Sequence, residues 1–164
     1  MIPYPTPEWV AEVGKNYKAN PENQNKIFKG MTIFLTFRVE ADPKFGLDKD
    51  IYFSTHLVNA VLQDDSTFIS KEDADKKSDF ILGATPSQWK KVIKKQDGFL
   101  SSFMTGKIKL NKGEAPKVIA LASKSPAVVD LFNKIQTEWP DEMSPERFEA
   151  YKSEVKEFRG RLKV

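Results

Sequence analysis

His56 is the only histidine in the chain, and cysteine is absent. Those two facts remove most of the familiar chemistry. Without cysteine there is no disulfide, no thiolate nucleophile and no thiolate metal site. A nucleophilic triad would need a serine positioned beside His56, and no Gly-x-Ser-x-Gly elbow occurs. Zinc would need further nitrogen or sulfur ligands, so no metal is expected. Glu72-Asp73-Ala74-Asp75 has the composition of half a calcium loop. It lacks the glycine and the terminal glutamate that such a loop requires at fixed spacing. Glycines are scattered singly and form no phosphate cradle, so no nucleotide or other cofactor is expected. Carboxylate pairs of the glycosidase kind arise by chance among 23 acidic residues, and no spacing singles one out. No catalytic residue is assigned, and the chain is read as a non-enzyme. His56 is expected on a strand, as a surface or interface residue, with a proton-transfer or ligand-contact role as the alternative.

Two other groups stand out. Lys90, Lys91, Lys94 and Lys95, followed by Lys107, Lys109 and Lys112, form a basic concentration. It reads either as the solvated side of a helix and a strand, or as a collar at a cavity mouth. A collar would attract anionic head groups or make transient contact with a membrane surface. No nucleic-acid partner is expected. The net charge is only +3, the two signs are interspersed, and no base-stacking module is present. The second group is apolar. Phe99, Leu100, Phe103 and Met104 crowd one short segment between Gly98 and Gly106. Such a segment needs a large apolar surface opposite, and either a sheet face or an apolar ligand supplies it.

The elements that would position these residues follow from periodicity. The chain of 164 residues fits one domain, with 40% hydrophobic and 30% charged residues, and can bury a core without staples. No apolar run reaches 18 residues, so no membrane span is expected. Met1 to Pro7 has no signal-peptide character, and Arg161-Leu162-Lys163-Val164 is no peroxisomal address. A cytoplasmic location is expected. After an extended lead-in, a helix is predicted from Glu8 to Ala19 and a short one from Pro21 toward Phe28. Met31 to Val39 alternates with Ile33, Leu35, Phe37 and Val39 on one face, a strand. Phe34 breaks the polar face, so that side is expected to be partly covered. Asp50 to Val58, Thr67 to Ile69 and Asp79 to Ala84 read as further strands. The charged stretch from Ser70 to Ser78 reads as a solvated loop.

Thr85-Pro86-Ser87-Gln88 is a helix start with a cap, a first-turn proline and a capping-box glutamine. Lys107 to Lys112 alternates as a half-exposed strand that could lie parallel to a neighbour. Ser125-Pro126 opens a helix with Val128, Leu131, Phe132 and Ile135 as its stripe. Ser144-Pro145-Glu146 opens a last one, carrying Phe148, Tyr151, Val155 and Phe158. The predicted class is α+β: a layer of helices on one mainly antiparallel sheet. Residues 1–164 are read as a single domain, with a core over 8–142 and a C-terminal helical extension over 144–161.

From Ser78 to Ile135 the pattern resembles the sterol-carrier-protein (non-specific lipid-transfer) family, in its prokaryotic form. The resemblance rests on Asp79-Phe80-Ile81-Leu82-Gly83-Ala84-Thr85, on Trp89-Lys90-Lys91-Val92-Ile93, and on the run from Phe99 through Gly106-Lys107 to Gly113. It implies a mixed, mainly antiparallel five-stranded sheet covered by helices on one face, with an apolar cavity between the layers that binds fatty acyl chains, acyl-CoA, sterols or similar lipids, without catalysis. The candidate ligand-binding residues are Phe99, Phe103, Met104, Ile108, Leu110, Leu131, Phe132 and Ile135. Leu35, Phe37, Phe53 and Leu57 are sheet candidates for lining or for core. Two alternatives stand beside this. One is a protein-interaction or homodimer module using the apolar face of the last helix. The other is an accessory domain of a lipid- or alkyl-metabolising enzyme, since the C-terminal domain of alkyl sulfatases shares this fold.

Overall fold

The structure is a computed structural model that describes residues 1–164. Its centre is the strand β2, Ile33–Val39, reached after β1 (Ile2–Pro3) and α1 (Pro7–Ala19). The β-branched and aromatic residues of β2 pair antiparallel with β3, Ile51–Val58, in a register that sets Leu35 opposite Thr55 and Phe37 opposite Phe53. β3 also carries the short strands β4 (Val61–Leu62) and β5 (Phe68–Ile69). The other side of β2 is taken by β6, Phe80–Ala84, which runs parallel to it. β7, Lys109–Lys112, closes the sheet antiparallel to β6. The sheet is therefore mixed and mainly antiparallel, in the order β4-β3-β2-β6-β7 with β5 beside β3. The parallel strand is β6, and β7, for which a parallel place was open, is antiparallel. The reason lies in α2, Lys71–Lys77, which carries the chain from β5 at one side of the sheet to β6 on the far side of β2.

α2 replaces the solvated loop expected from Ser70 to Ser78. Ser70 Oγ accepts from Asp73 N at 3.1 Å, acids occupy the first turn, and Lys76 and Lys77 the last. Lys71–Asp75 and Lys76–Glu72 pair at i, i+4. Ala74 is the helix's only buried residue, so its sequence has no apolar stripe to read. With Phe34, Tyr52, Ile69 and Ile81, Ala74 makes a small core on the outer face of the sheet. That core explains Phe34, and it means the outer face is also partly covered by a helix.

The inner face carries Ile33, Leu35, Phe37 and Val39 of β2, Phe53, Thr55 and Leu57 of β3, and Phe80 and Leu82 of β6. Six helices lie on this side or at its edges: α1, α3 (Pro86–Ile93), α4 (Phe99–Met104), α5 (Ala115–Leu121), α6 (Ser125–Asn133) and α7 (Pro145–Leu162). Thr6, Thr85 and Ser144 cap α1, α3 and α7 by accepting from the backbone N–H three residues on. Prolines stand in the first turn of each, where a missing N–H costs nothing.

The chain ends are tied in. β1 pairs parallel with β8, Thr137–Glu138. Tyr4 and Trp9 are fully buried, and Trp9 Nε1 donates to Thr137 Oγ1 at 2.9 Å. α7, which sequence spacing sets apart as an extension, packs Tyr151, Val155 and Phe158 into the same core. Tyr151 donates its hydroxyl hydrogen bond to Tyr4 O at 2.8 Å. Arg159 donates to Lys49 O at 2.9 Å and Asp50 O at 2.6 Å. Gly46 makes this packing feasible: its φ is +70°, and a Cβ there would sit 3.0 Å from Tyr151 Cε1. The apolar face offered for pairing between chains is consumed within the chain.

Candidate functional site: an apolar cavity under the helical layer

Between the inner sheet face and the helices lies a cavity of ≈ 130 Å³. Of its 26 lining residues, 23 are hydrophobic, so no array of polar groups exists there to bind or activate a polar substrate. The floor is the sheet: Ile33, Leu35 and Phe37 from β2, Phe53, Thr55 and Leu57 from β3, and Phe80 and Leu82 from β6. One wall comes from α1, whose Trp9, Val13 and Tyr17 recur every four residues and so share a face. A second comes from Trp89, Val92 and Ile93 of α3 with Phe99 of α4. The roof is Val118 and Leu121 of α5 with Val128, Val129, Leu131 and Phe132 of α6.

The three non-hydrophobic lining residues are Thr55, Lys124 and Ser125. Thr55 stands on the floor. Lys124 ends the turn between α5 and α6, and Ser125 opens α6, at the edge of the roof. Lys124 Nζ donates to Ile27 O at 2.5 Å, and Ser125 Oγ donates to Ala122 O at 2.7 Å. Tyr17 spends its hydroxyl on Ala60 O at 2.5 Å. Burial pushes its ionisation up, as it does for Tyr4 and Tyr151, so all three are neutral, apolar-facing side chains at ordinary pH.

Aromatic packing fixes the inner end of the cavity. Phe132 stacks on Trp9 with ring centroids 5.5 Å apart and stands edge-on to Phe37 at 5.5 Å. Trp89 Nε1 donates to Arg38 O at 2.9 Å, which locks its ring against the edge of Phe37.

Three of the eight candidate residues, Phe99, Leu131 and Phe132, line this cavity together. The other five do not. Phe103 stacks on Phe99 at 6.3 Å, outside the wall. Met104 is 64% exposed at the end of α4. Ile108 and Ile135 are buried in the core beyond the cavity, and Leu110 sits on β7 opposite Leu82. The four sheet candidates, Leu35, Phe37, Phe53 and Leu57, are all on the floor. Sequence reasoning missed the α1 wall, although the four-residue spacing of Trp9, Val13 and Tyr17 carries that signal. It also missed Lys124, for which no local pattern exists.

His56 sits on the outer sheet face, away from the cavity. Its Nδ1 is 2.8 Å from Asp65 Oδ1, and its ring packs on Phe34 at 4.7 Å. Four of the seven collar lysines pair with carboxylates. Lys90 pairs with Asp141 at 3.0 Å, Lys95 with Asp130 at 2.6 Å, Lys107 with Asp97 at 3.8 Å and Lys109 with Glu40 at 2.8 Å. Lys112 donates to Asp75 O. Lys91, Lys94 and Lys112 keep their charge without a carboxylate partner.

The mixed sheet is roofed by short helices, with an apolar cavity between the two layers. No protein-family model and no curated protein matches the sequence. Solved structures do match. The crystal structure of sterol carrier protein 2 superposes with a TM-score of 0.67 at 21% identity, over 79% of this chain and 97% of that one. The solution structure of a conserved hypothetical protein from Thermus thermophilus, described as possibly a sterol carrier protein, gives 0.69 at 20% identity, over 81% of this chain and 90% of that one. Sterol carrier protein 2 from Yarrowia lipolytica in its apo form gives 0.51 at 12% identity, over 77% and 90%. The chain has the sterol carrier protein 2 type of fold.

Proposed function

We propose that this chain binds a hydrophobic ligand, of the class of a fatty acyl chain or comparable lipid, in the cavity under α5 and α6, as a non-enzymatic carrier. The observation that carries this reading is the cavity wall, apolar on every side except for Thr55, Lys124 and Ser125. An alkyl chain leaving water for such a wall gains about 0.8 kcal/mol per buried methylene, before ordering costs. No reacting group is needed. The likeness to sterol carrier protein 2 supports the reading, since that protein's name attaches the same fold to carrying a lipid. A cytoplasmic place of action fits a cysteine-free chain. No helix is long and apolar enough to cross a membrane.

The size of the cavity refines the ligand's path. At ≈ 130 Å³ it matches the scale of an apolar cavity of about 150 Å³ that accepts benzene. It holds a short piece of an alkyl chain as it stands. A longer chain enters by outward movement of the roof, where Leu121, Val128 and Val129 are only half-buried. The homodimer reading loses its basis, because Tyr151, Val155 and Phe158 are committed to the chain's own core.

Native mass spectrometry of the purified protein, followed by organic extraction, tests the proposal. A stoichiometric co-purifying or added acyl species is expected. A clean apo mass with no uptake of added fatty acid would overturn it.

A further inference from the structure

Lys124 is the one charged residue on the cavity wall. It lies in the single turn Ala122–Lys124 that joins α5 to α6. Its ammonium has three N–H donors, and one protein hydrogen bond, to Ile27 O, uses one of them. No carboxylate pairs with it, and unlike the unpaired Lys91, Lys94 and Lys112 of the basic surface it stands on the cavity wall. Around its acceptor the charge is also positive: Lys26 and Lys29 flank Ile27 in the turn before β2. The nearest hydroxyl on the rim, Ser125, is already spent on Ala122 O. A part-buried ammonium on the wall of an apolar cavity, with a neutral carbonyl as its protein partner, has two further N–H donors to offer an anionic oxygen. Charge-assisted hydrogen bonds between an ammonium and an anionic oxygen are roughly twice as strong as neutral ones.

The same bond has a mechanical role. Lys124 Nζ to Ile27 O is the tie between the α5–α6 turn and the Asn23–Ile27 turn on the opposite rim. At ≈ 130 Å³ the cavity is too small for a long chain, and parting these two turns would enlarge it.

Resting on the cavity reading above, we propose that Lys124 is the head-group anchor and the clasp of the mouth. In the empty cavity its ammonium holds the Ile27 carbonyl. In the filled one it moves to the anionic head of a single-chain amphiphile whose tail lies under α5 and α6. The preferred ligand is then a long-chain carboxylate or similar monoanion, and neutral lipids with the same tail bind less well.

Isothermal titration of the delipidated full chain with dodecanoate and with methyl dodecanoate tests this, since the tails are identical and only the head charge differs. The wild type is expected to prefer dodecanoate by about tenfold. Lys124→Met, which keeps most of the aliphatic stem, should lose that preference: dodecanoate weakens by about tenfold while the ester changes by less than about twofold. Lys124→Arg should restore the preference for the anion. Unchanged selectivity in Lys124→Met overturns the assignment, and so does an equal loss for both ligands, which would leave a clasp without an anchor. Equal wild-type affinity for the two ligands sinks the assignment but keeps the cavity reading. Uptake of neither ligand by the wild type sinks the cavity reading itself.

Discussion

Along β2, burial changes from one end of the strand to the other on the same face. Phe37 and Val39 are buried, while Ile33 and Leu35, just two and four residues earlier, are half-buried although they sit in the middle of the sheet. The difference is made by the helices above. Over Phe37 and Val39 lie Trp9, Phe132 and the α7 side of the layer, tied by Tyr151 to Tyr4 O, Trp9 to Thr137 and Arg159 to Lys49 O and Asp50 O. Arg147 adds a two-pronged pair to Glu138, with Nε and Nη2 donating at 3.0 and 2.9 Å. Over Ile33 and Leu35 lie α5 and the start of α6, with Leu121, Val128 and Val129 half-buried and Ile119 44% exposed. One end of the layer is a close-packed aromatic core with directional ties. The other is a thin apolar roof clasped by Lys124. Close packing concentrates stability at the first end, and the second is where the proposed ligand would enter.

Paired substitutions at the two ends should separate them. Trp9→Ala removes a fully buried indole, its stacking on Phe132 and its bond to Thr137. It should lower unfolding stability by about 3–5 kcal/mol, read from the urea midpoint. Leu121→Ala in the roof should cost about 1 kcal/mol or less, because its side chain borders empty space. Equal costs would erase the distinction between the two ends. The smallest effect is set by Asp50, which anchors the firm end near Arg159. Burial pushes its carboxyl up, but hydrogen bonds from Ala41 N and Arg38 outweigh this and hold it below its usual 3.8. A lowered folded value means that its stabilisation is present above 3.8 and is lost as pH falls through the lower folded value. Asp50→Asn should therefore lose less than about 1 kcal/mol at neutral pH and show a shallower loss in acid. A neutral-pH stability unchanged by this substitution, with the same acid slope, would contradict the role given to Asp50.

Sequence periodicity carried much of this, and unevenly. Period-two alternation located β2 and β3 and named the floor residues Leu35, Phe37, Phe53 and Leu57. The capping box at Thr85–Gln88 and the Ser144-Pro145-Glu146 start located α3 and α7 to within a residue of Pro86 and Pro145. Contacts made by distant chain segments were not legible. Tyr4 and α7 meet across almost the whole sequence, so α7 read as an extension and the lead-in as a tail. α2 was hidden because a helix that buries one alanine shows no stripe. Among cavity residues, the α4 segment Phe99 to Met104 drew notice by density alone. Only Phe99 reaches the wall, since a six-residue helix can turn few side chains the same way. Lys124 was illegible in principle: a lone lysine acquires meaning only when the fold places it on an apolar rim.

The central claim is that the space under α5 and α6 is a ligand site, and filling it tests this most directly. Val128 lines the roof and is half-buried, so Val128→Phe places a ring in the cavity. Saturable binding of a fluorescent fatty acid to wild type and variant would be measured beside their melting temperatures. The wild type should take up one equivalent, and the variant should bind at least about tenfold more weakly with a melting temperature unchanged or raised. Equal binding by a folded variant, or none by the wild type, would contradict the account.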